Sequence, residues 1–379
     1  MSLKRLKNVS KNIFYALKSE HSRKDSNSFV LPREILLAIT YKCNSKCKTC
    51  GIWEKYQKDH QMISEELTLE EFKKFVNKNN YLKTLAITGG EPFLRKDLYD
   101  IVVYLDQKGY STHLTTNAIA VEHIMKETQR ILDGFTKQNP FSLQISVDGL
   151  DDIHDYIRGI KGNFGNAMRL LRWCIGQAKK YNFFHAGGVS HTLTDSNYQH
   201  LDEFIEYFVS LGLTPEQISF RPISYSAVYY GNTQDTETIK NTHDILSVIE
   251  RIQNKYSYYK KDPFYKGMIN YLKNPDKRTI KCYAGTTFCY IDPYWNVYPC
   301  IFLDLCMGNL RNYDFNFEAL LRDKKAKIAK ETIRKSNCNC WTRCATVPSM
   351  NSDPFRLLSN YVRKVINYED IVNHSRLFP

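Results

Sequence analysis

The feature that most constrains the fold is a repeated alternation of short β-rich segments and amphipathic helical stretches between Arg33 and about residue 225. Strands that alternate with helices form parallel βαβ units, because each crossover helix returns the chain to the same edge of the sheet. The predicted strands are Glu34–Thr40, Lys83–Thr88, Ser111–Thr115, Phe141–Val147, Gly187–Leu193 and Gln217–Arg221. The predicted helices include Leu69–Asn79, Leu98–Lys108, Phe164–Lys180, Leu201–Leu211 and His243–Tyr256. These units predict an α/β fold, a partial (β/α)6 TIM-like barrel with its chemistry at the carboxyl ends of the strands.

The length of 379 residues leaves room for further segments on both sides of such a barrel. We predict a basic amphipathic N-terminal extension over 1–32 and the barrel over 33–275. A small cysteine-rich α+β domain over 276–350 and a C-terminal helical tail over 351–379 complete the predicted organisation.

Both terminal segments have amphipathic helical patterns. Apolar side chains recur at helical spacing in residues 1–30 and again in Phe355–Ile366. A basic amphipathic helix either packs against the rest of the protein or lies on an anionic membrane surface. We favour packing, and a weak contact with a membrane surface stays open as the alternative.

Charge and hydropathy limit the kinds of partner that we expect for this protein. The sequence has no run of about 18 apolar residues, so it predicts no membrane span. Its N-terminus lacks the apolar stretch of a secretory signal, which favours a cytoplasmic protein. The net charge of +13 fits a basic, solvated surface, which we favour, or an anionic partner. No basic-aromatic RNA-binding motif is present, so we expect no specific nucleic-acid partner.

The eleven cysteines fall into two groups, which in a reducing compartment indicates metal ligands rather than disulfides. Cys43, Cys47 and Cys50 follow the first predicted strand on one loop. Three thiolates can hold three irons of a 4Fe–4S cluster and leave the fourth iron open to an amine and a carboxylate. The alternative is a structural zinc site, which usually has four protein ligands. A fourth ligand close in sequence is lacking here, and the nearest imidazole is that of His60.

With this loop, residues 34–225 resemble the radical S-adenosylmethionine (SAM) superfamily. The cysteines match its CxxxCxxC motif, and Gly89, Gly90 and Glu91 after the second strand resemble its GGE motif. The resemblance implies that a 4Fe–4S cluster cleaves SAM reductively to a 5′-deoxyadenosyl radical, which abstracts hydrogen from a substrate. It also implies that Glu91 and the adjoining backbone bind the cofactor's amino group, since glycines let a backbone approach a ligand closely.

Other residues after the strands complete the resemblance to the cofactor site. Thr116 and Asn117 follow the third strand, and Ser146 and Asp148 follow the fourth. The resemblance implies that Ser146 and Asp148 contact the ribose region and that Arg158 pairs with a carboxylate. Plainer roles remain open, because Asp148 begins a good turn sequence and Arg158 is also compatible with an exposed position.

One position departs from the family pattern. The residue before Cys50 is often aromatic in the family and lies near the adenine, but here it is Thr49. Adenine packing would then come from Tyr41 or Trp53.

The second cysteine group resembles the SPASM and twitch domains that follow many radical SAM barrels. We predict one auxiliary 4Fe–4S cluster of the twitch type, and its predicted ligands are Cys282, Cys300, Cys340 and Cys344. Cys338 is the main substitute, because Cys338 and Cys340 are separated by a single residue and we do not expect both to serve one cluster. A zinc site built from the same cysteines stays open.

Three residues of this region are ambiguous. Cys289 lies in an apolar, strand-like run and is expected to act as a small buried hydrophobe. Cys306 has no assigned role. Trp295 stands where the family usually has a glycine before Cys300, which puts the local turn in question.

The substrate is not specified by the motifs. Twitch-type relatives imply oxidation of a sugar- or cyclitol-like compound, and SPASM-type relatives imply a peptide-modifying maturase. Only 33 residues precede the first predicted strand, too few for a leader-binding domain, so we favour the small molecule. A non-catalytic iron–sulfur or zinc-binding protein is the third alternative. The resemblance also implies an electron donor such as flavodoxin or ferredoxin, and among acid–base candidates only His191 and Asp195 follow a strand at the correct face.

Overall fold

A computed structural model describes residues 3–58, 64–82, 84–232 and 237–359. Within them, nine strands form one sheet in the order β6-β5-β4-β3-β2-β1-β7-β8-β9. The strands are β1 Glu34–Ala38, β2 Thr84–Thr88, β3 Ser111–Thr116, β4 Phe141–Ser146, β5 Phe184–Leu193, β6 Ile218–Pro222, β7 Phe288–Ile291, β8 Asn296–Tyr298 and β9 Gly308–Asn309.

The first six strands pair in parallel with their sequence neighbours, which confirms the predicted partial (β/α)6 barrel. All six predicted strands are present, and β5 begins three residues earlier than predicted. Side chains alternate along each strand, so one face is buried and apolar, as at Ile87 and Ile145. The other face is partly exposed and carries small polar residues such as Thr88 and Ser219. The apolar core therefore lies between the sheet and the helices, and the barrel interior is polar.

Helices cover the apolar face of the sheet, and the predicted helices agree with the observed ones within three residues. The helices are α1 Leu3–Lys24, α2 Ile52–Lys58, α3 Leu69–Lys78, α4 Leu98–Gln107, α5 Val121–Gly134, α6 Asp151–Arg158, α7 Asn163–Ala178, α8 Leu201–Ser210, α9 Thr242–Lys255, α10 Ser257–Lys261, α11 Pro263–Lys273, α12 Phe317–Arg322, α13 Lys324–Lys335 and α14 Arg343–Ser352.

The N-terminal helix α1 packs against α13 and α14. The carboxylate of Glu20 on α1 accepts a 2.6 Å hydrogen bond from Tyr283 Oη and lies 3.4 Å from Lys281 Nζ. The Tyr15 hydroxyl donates to the Leu31 carbonyl. These contacts join α1 to the C-terminal region, as the packing interpretation expects. Phe14 and Leu17 stay exposed on the opposite side.

The C-terminal helical tail is described only in part. Residues 354–359 are helical, and the rest of the predicted stretch lies outside the described residues. Among the described residues, no helix has both the length and the apolar character needed to cross a membrane.

The C-terminal region continues the barrel sheet. β7 pairs in parallel with β1, and β8 and β9 follow as antiparallel neighbours. The predicted 276–350 unit therefore shares hydrogen bonds with the first barrel strand. This continuity connects the region of the second cysteine group to β1, the strand that leads into the first cysteine loop.

Trp295 occupies the turn between β7 and β8 with a left-handed backbone φ of 69°. Glycine adopts this conformation most readily, and Trp295 offsets the backbone strain through burial of its side chain. Its ring packs on Phe75 at 5.1 Å and on Phe315 at 5.2 Å, measured between ring centroids, and its indole N–H donates to Glu71.

Replacing Trp295 separates these two effects. Trp295→Ala loses the buried ring and keeps the left-handed strain, so we expect a loss of about 3–5 kcal/mol in the free energy of unfolding. Trp295→Gly loses the ring but relieves the strain, and it should be about 1 kcal/mol more stable than the alanine variant. Urea unfolding of the two proteins measures this order, and an alanine variant as stable as the glycine variant would contradict it.

Candidate functional site

The loop after β1 brings together the three cysteines predicted as cluster ligands. Burial raises the pKa of the Cys43 thiol, and the neighbouring Cys47 and Cys50 thiols raise it further. Burial raises the pKa of Cys50 to about 12, with a smaller contribution from Cys47. All eleven cysteines are free. The three thiols therefore form one buried group that a metal centre would favour as thiolates.

The end of α6 fixes one side of this loop. The Lys48 N–H donates to the Ile157 carbonyl at 2.8 Å, and the Lys46 N–H donates to the Arg158 carbonyl at 3.3 Å. Gly159 follows with a φ of 67°, and a Cβ there would lie 2.5 Å from the Lys46 carbonyl oxygen. Only glycine permits this left-handed turn at so short a distance from the loop.

The turn after β2 fixes the other side of the loop. The Gly90 N–H donates to the Thr40 carbonyl at 2.8 Å, and the Glu91 N–H donates to the Lys42 carbonyl at 2.7 Å. A Cβ on Gly89 would lie 2.2 Å from the Thr40 oxygen, and one on Gly90 would lie 2.0 Å from the Lys42 oxygen. The glycines are thus needed for close approach to the cysteine loop itself, a reason that the sequence interpretation did not include.

Glu91 is buried and accepts hydrogen bonds from the end of β3. Its carboxylate receives the Asn117 N–H at 2.7 Å and the Thr116 hydroxyl at 3.0 Å. Burial raises its pKa to about 7, although these hydrogen bonds act in the opposite direction. The predicted cofactor residues Glu91, Thr116 and Asn117 therefore form one hydrogen-bonded group.

Asn117 connects this group to the cysteine loop. Its amide nitrogen donates to Asn44 Oδ1 at 2.8 Å and lies 3.9 Å from Cys43 Sγ. An amide donor beside a thiolate stabilises the negative charge of a bound cluster.

Arg158 and Asp148 form an ion pair behind the loop. Arg158 Nε lies 2.8 Å from Asp148 Oδ2, and Arg158 Nη1 donates to Cys47 Sγ at 3.6 Å. Asp148 also accepts the Thr192 N–H at 2.7 Å. Burial opposes ionisation of Asp148, but Arg158, His191 and the Thr192 N–H together outweigh it, and the pKa of the carboxyl is lowered. Asp148 is fully buried and its contacts are with protein groups, so its position suits it to hold Arg158 beside Cys47.

Ser146 ends β4 on the partly exposed face and lies opposite Ser190 of β5. His191, on β5, is buried among other side chains, with its ring 4.4 Å from that of Phe204. Burial lowers its pKa to about 4, so it is neutral near pH 7. Asp195 accepts hydrogen bonds from Thr238 and Lys240. The contacts of His191 and Asp195 therefore indicate structural roles, and neither residue has surroundings that favour it as a general acid or base.

A segment after β6, residues 226–232, also contacts the cysteine loop, and the sequence analysis did not identify it. The Gly51 N–H donates to the Tyr230 carbonyl at 2.7 Å, and Asn232 Nδ2 donates to the Thr49 carbonyl at 2.9 Å. Lys55 Nζ donates to the Val228 carbonyl at 2.7 Å. The available signal was position alone, since this segment follows a strand at the carboxyl edge of the sheet.

The aromatic candidates for adenine packing differ in their surroundings. The Tyr41 hydroxyl lies 2.8 Å from that of Tyr290, so its polar end is already paired. The indole nitrogen of Trp53 is buried and has no hydrogen-bond partner in the described part of the chain. Trp53 is thus the candidate with an unused polar group at this site.

The second cysteine group surrounds a cavity beside β7. Four cysteines line it together with apolar side chains such as Ile280 and Leu303, namely Cys282, Cys300, Cys338 and Cys340. Burial raises the pKa of Cys340 strongly, and the neighbouring thiols add to this effect. Cys289 is fully buried within β7, and Cys306 is exposed.

Cys344 lies apart from the lining of that cavity. It packs in a small cluster that contains Cys50, Tyr41 and Tyr229. It thus lies between the two cysteine groups, on the side of the first one.

Both sites fit iron–sulfur chemistry. At the first, the three thiols of one loop adjoin an amide donor and a guanidinium, and the buried indole nitrogen of Trp53 has no hydrogen-bond partner among the described residues. At the second, four thiols face one apolar cavity. Thiolates in apolar surroundings with few donors are the ligands that iron–sulfur clusters use.

Comparison with known proteins assigns a family to the barrel region. Residues 37–214 match the family model of the Radical SAM superfamily. The chain is 23% identical to the AdoMet-dependent heme synthase of Methanosarcina barkeri, over 75% of this chain and 81% of the relative. It is 25% identical to AlbA of Bacillus subtilis, a subtilosin biosynthesis protein, over 75% of this chain and 59% of the relative. The mycofactocin maturase MftC of Mycolicibacterium smegmatis is 25% identical over 70% of this chain and 63% of the relative.

Solved structures share the fold. SuiB of Streptococcus suis bound to S-adenosylmethionine has a TM-score of 0.60 at 15% identity and covers 83% of this chain and 70% of SuiB. SuiB bound to its precursor peptide SuiA has a TM-score of 0.58 at 15% identity and covers 86% of this chain and 75% of SuiB. Residues 37–214 therefore form a Radical SAM domain, whose cofactors are a 4Fe–4S cluster and SAM, and the cysteine-rich region after it is consistent with an auxiliary cluster.

Proposed function

We propose that this radical SAM enzyme modifies a peptide, with the substrate bound in the polar barrel interior between its two cysteine groups. The observation that carries the proposal is the shared placement of both groups on one sheet, since β7 adjoins β1. The names of AlbA, MftC and SuiB support a peptide, because each of those proteins takes part in peptide maturation or binds a precursor peptide. A sugar- or cyclitol-like substrate gains no support from these relatives and stays a prediction.

Cys43, Cys47 and Cys50 would hold the SAM-binding cluster. When bound, that cluster and SAM supply a carbon radical that takes hydrogen from the substrate, and the auxiliary cluster supplies a one-electron acceptor for net oxidation. An acidic electron carrier such as flavodoxin or ferredoxin is the proposed donor.

The surrounding residues would hold the cofactor in place. Glu91 has oxygens held by Thr116 and Asn117, which suits an anchor for the cofactor's ammonium group. Arg158 would offer its remaining donors to a carboxylate, with Asp148 as a positioning residue. Ser146, on the interior face, remains the proposed contact to the ribose region.

For the auxiliary cluster we propose the ligands Cys282, Cys300, Cys338 and Cys340, which line one cavity. This set replaces Cys344 with Cys338. Side chains two residues apart lie on the same face of an extended segment, and residues 337–342 are irregular, so their spacing does not prevent Cys338 and Cys340 from facing one centre.

The peptide proposal is tested with deuterium. The enzyme is reconstituted anaerobically and given SAM, dithionite and a peptide fraction from cells grown in heavy water. Deuterium in the 5′-deoxyadenosine product, lost when the fraction is first digested with protease, is the expected result. Transfer that survives digestion, or that comes from the small-metabolite fraction, would contradict a peptide substrate.

The radical chemistry itself depends on the first cysteine group. The Cys43→Ala/Cys47→Ala/Cys50→Ala variant should form no 5′-deoxyadenosine and should retain the iron of the auxiliary site. Chromatography and iron analysis measure both quantities beside the wild type. A variant that still cleaves SAM would rule out this loop as the cofactor site.

Iron content also distinguishes the two ligand sets at the auxiliary site. Cys338→Ser should lower the iron bound at that site, because it removes a cavity-lining thiol, whereas Cys344→Ser should leave the iron content unchanged. Mössbauer spectra of both variants in the background of the triple alanine variant make the comparison direct. The opposite pattern would restore Cys344 as the ligand.

The glycine turn gives a further prediction. Gly90→Ala places a Cβ against the Lys42 carbonyl and should displace the cysteine loop, so iron at the first site and SAM cleavage should both fall at least about tenfold. Gly176→Ala is the control, because a Cβ there meets nothing within 4 Å. Equal iron content in both variants would show that the loop does not depend on this contact.

A further inference from the structure

A partly buried arginine stands at the carboxyl end of β6. Along this strand Ile218, Phe220 and Pro222 are buried, and Ser219 and Arg221 are partly exposed. Phe220 packs on Tyr265 of α11, whereas Ser219 accepts a hydrogen bond from Gln144 Nε2 of β4. Because side chains alternate along a strand, Arg221 lies on the same face as Ser219, which is the barrel interior.

The guanidinium has few partners. Its Nη2 donates to the Tyr230 hydroxyl at 3.0 Å, and in the described part of the chain no other hydrogen bond of Arg221 is found. No carboxylate of the described residues lies within 4.0 Å of it. Asp148 is within electrostatic range but is paired with Arg158. A guanidinium has five N–H donors, so most of those on Arg221 are available to a ligand.

Such a cation is costly to maintain without a counter-charge. Removing a charge from water carries a penalty of several kcal/mol, which a partner anion offsets. Tyr230 supplies an oxygen but no charge. Arg221 is therefore a positive centre with no paired carboxylate among the described residues, at the edge where barrel enzymes bind substrate.

The location of this centre relates it to both cysteine groups. Tyr230 is within electrostatic range of Cys50 and Cys344, and Arg221 is within range of Cys344. The carbonyl of Tyr230 also accepts the Gly51 N–H, which ties its position to the cysteine loop. Arg221 and Tyr230 thus lie beside the first cluster site, on the side that faces the second.

We propose that Arg221, together with the Tyr230 hydroxyl, binds a carboxylate of the substrate and so selects acidic substrates. The inference rests on the proposed function and narrows it to a carboxylate-bearing molecule. A single guanidinium matches the one charge and the planar fork of a carboxylate, whereas a phosphate monoester carries about −1.5 to −2 charges at pH 7 and would be only partly neutralised. Sugars and cyclitols without an acid group would lack this interaction.

Two sources supply the same chemistry. One is a glutamate or aspartate side chain of a peptide, and the other is a propionate side chain of a tetrapyrrole, the product class in the name of the heme synthase relatives. The probes are therefore a capped Gly-Glu-Gly peptide and coproporphyrin, each with a neutral match, the Gln peptide and the porphyrin methyl ester.

The experiment measures binding to the reconstituted enzyme with SAM present, by calorimetry and by protection of Arg221 from phenylglyoxal. One acidic probe should bind and protect Arg221, and its neutral match should not. Arg221→Gln should weaken that binding about 10- to 100-fold, as expected for loss of charged hydrogen bonds, and Arg221→Lys should restore part of it. Arg172→Gln, at an exposed position on α7, is the control and should bind as the wild type does.

The outcomes separate this inference from the proposed function. Binding of the Glu peptide agrees with both proposals, whereas binding of the porphyrin alone supports a carboxylate site but contradicts a peptide substrate. The inference is overturned if neither acidic probe binds, if the neutral match binds equally well, or if Arg221→Gln binds as the wild type does. Protease-sensitive deuterium transfer from the peptide fraction to 5′-deoxyadenosine tests the proposed function alone, because it needs no acidic probe.

Discussion

The close approach of three backbone segments to the cysteine loop is the constraint on which the site depends. The loop is held by the glycine turn after β2, by the end of α6 and by the segment after β6, through main-chain hydrogen bonds at Gly90, Lys48 and Gly51. Main-chain contacts of this kind position the thiols without occupying them, since the sulfurs need their lone pairs for iron. They also explain why glycines recur at the contacts, because a Cβ at Gly90 or Gly159 would overlap with the loop.

Two arginines lie near the same loop, and their surroundings differ. Arg158 reaches Cys47 and is itself held by Asp148, so a buried carboxylate supports a cation beside a thiol. Arg221 supplies a second cation farther into the interior and has no such carboxylate among the described residues. The contrast suggests two different uses of positive charge, one for the cofactor site and one for the substrate.

The sequence predicted the barrel well because its strands and helices are local patterns, and the six strands lie where period-two alternation placed them. It also predicted the first cysteine group, whose spacing is itself local. It could not predict that β7 joins β1, because parallel pairing over about 250 residues leaves no local signal. For the same reason it missed Arg221 and Tyr230. It also set Cys338 apart from Cys340, although side chains two residues apart lie on the same face even of an extended segment.

The central claim is that Cys43, Cys47 and Cys50 hold a 4Fe–4S cluster whose fourth iron binds SAM. The most direct measurement is electron–nuclear double resonance on the reduced enzyme that carries only this cluster, with serine in place of Cys282, Cys300, Cys338 and Cys340. Addition of SAM labelled with ¹⁵N at its amino group should change the cluster signal and give a nitrogen coupling. A 4Fe–4S signal that SAM leaves unchanged, with no ¹⁵N coupling, would contradict the account.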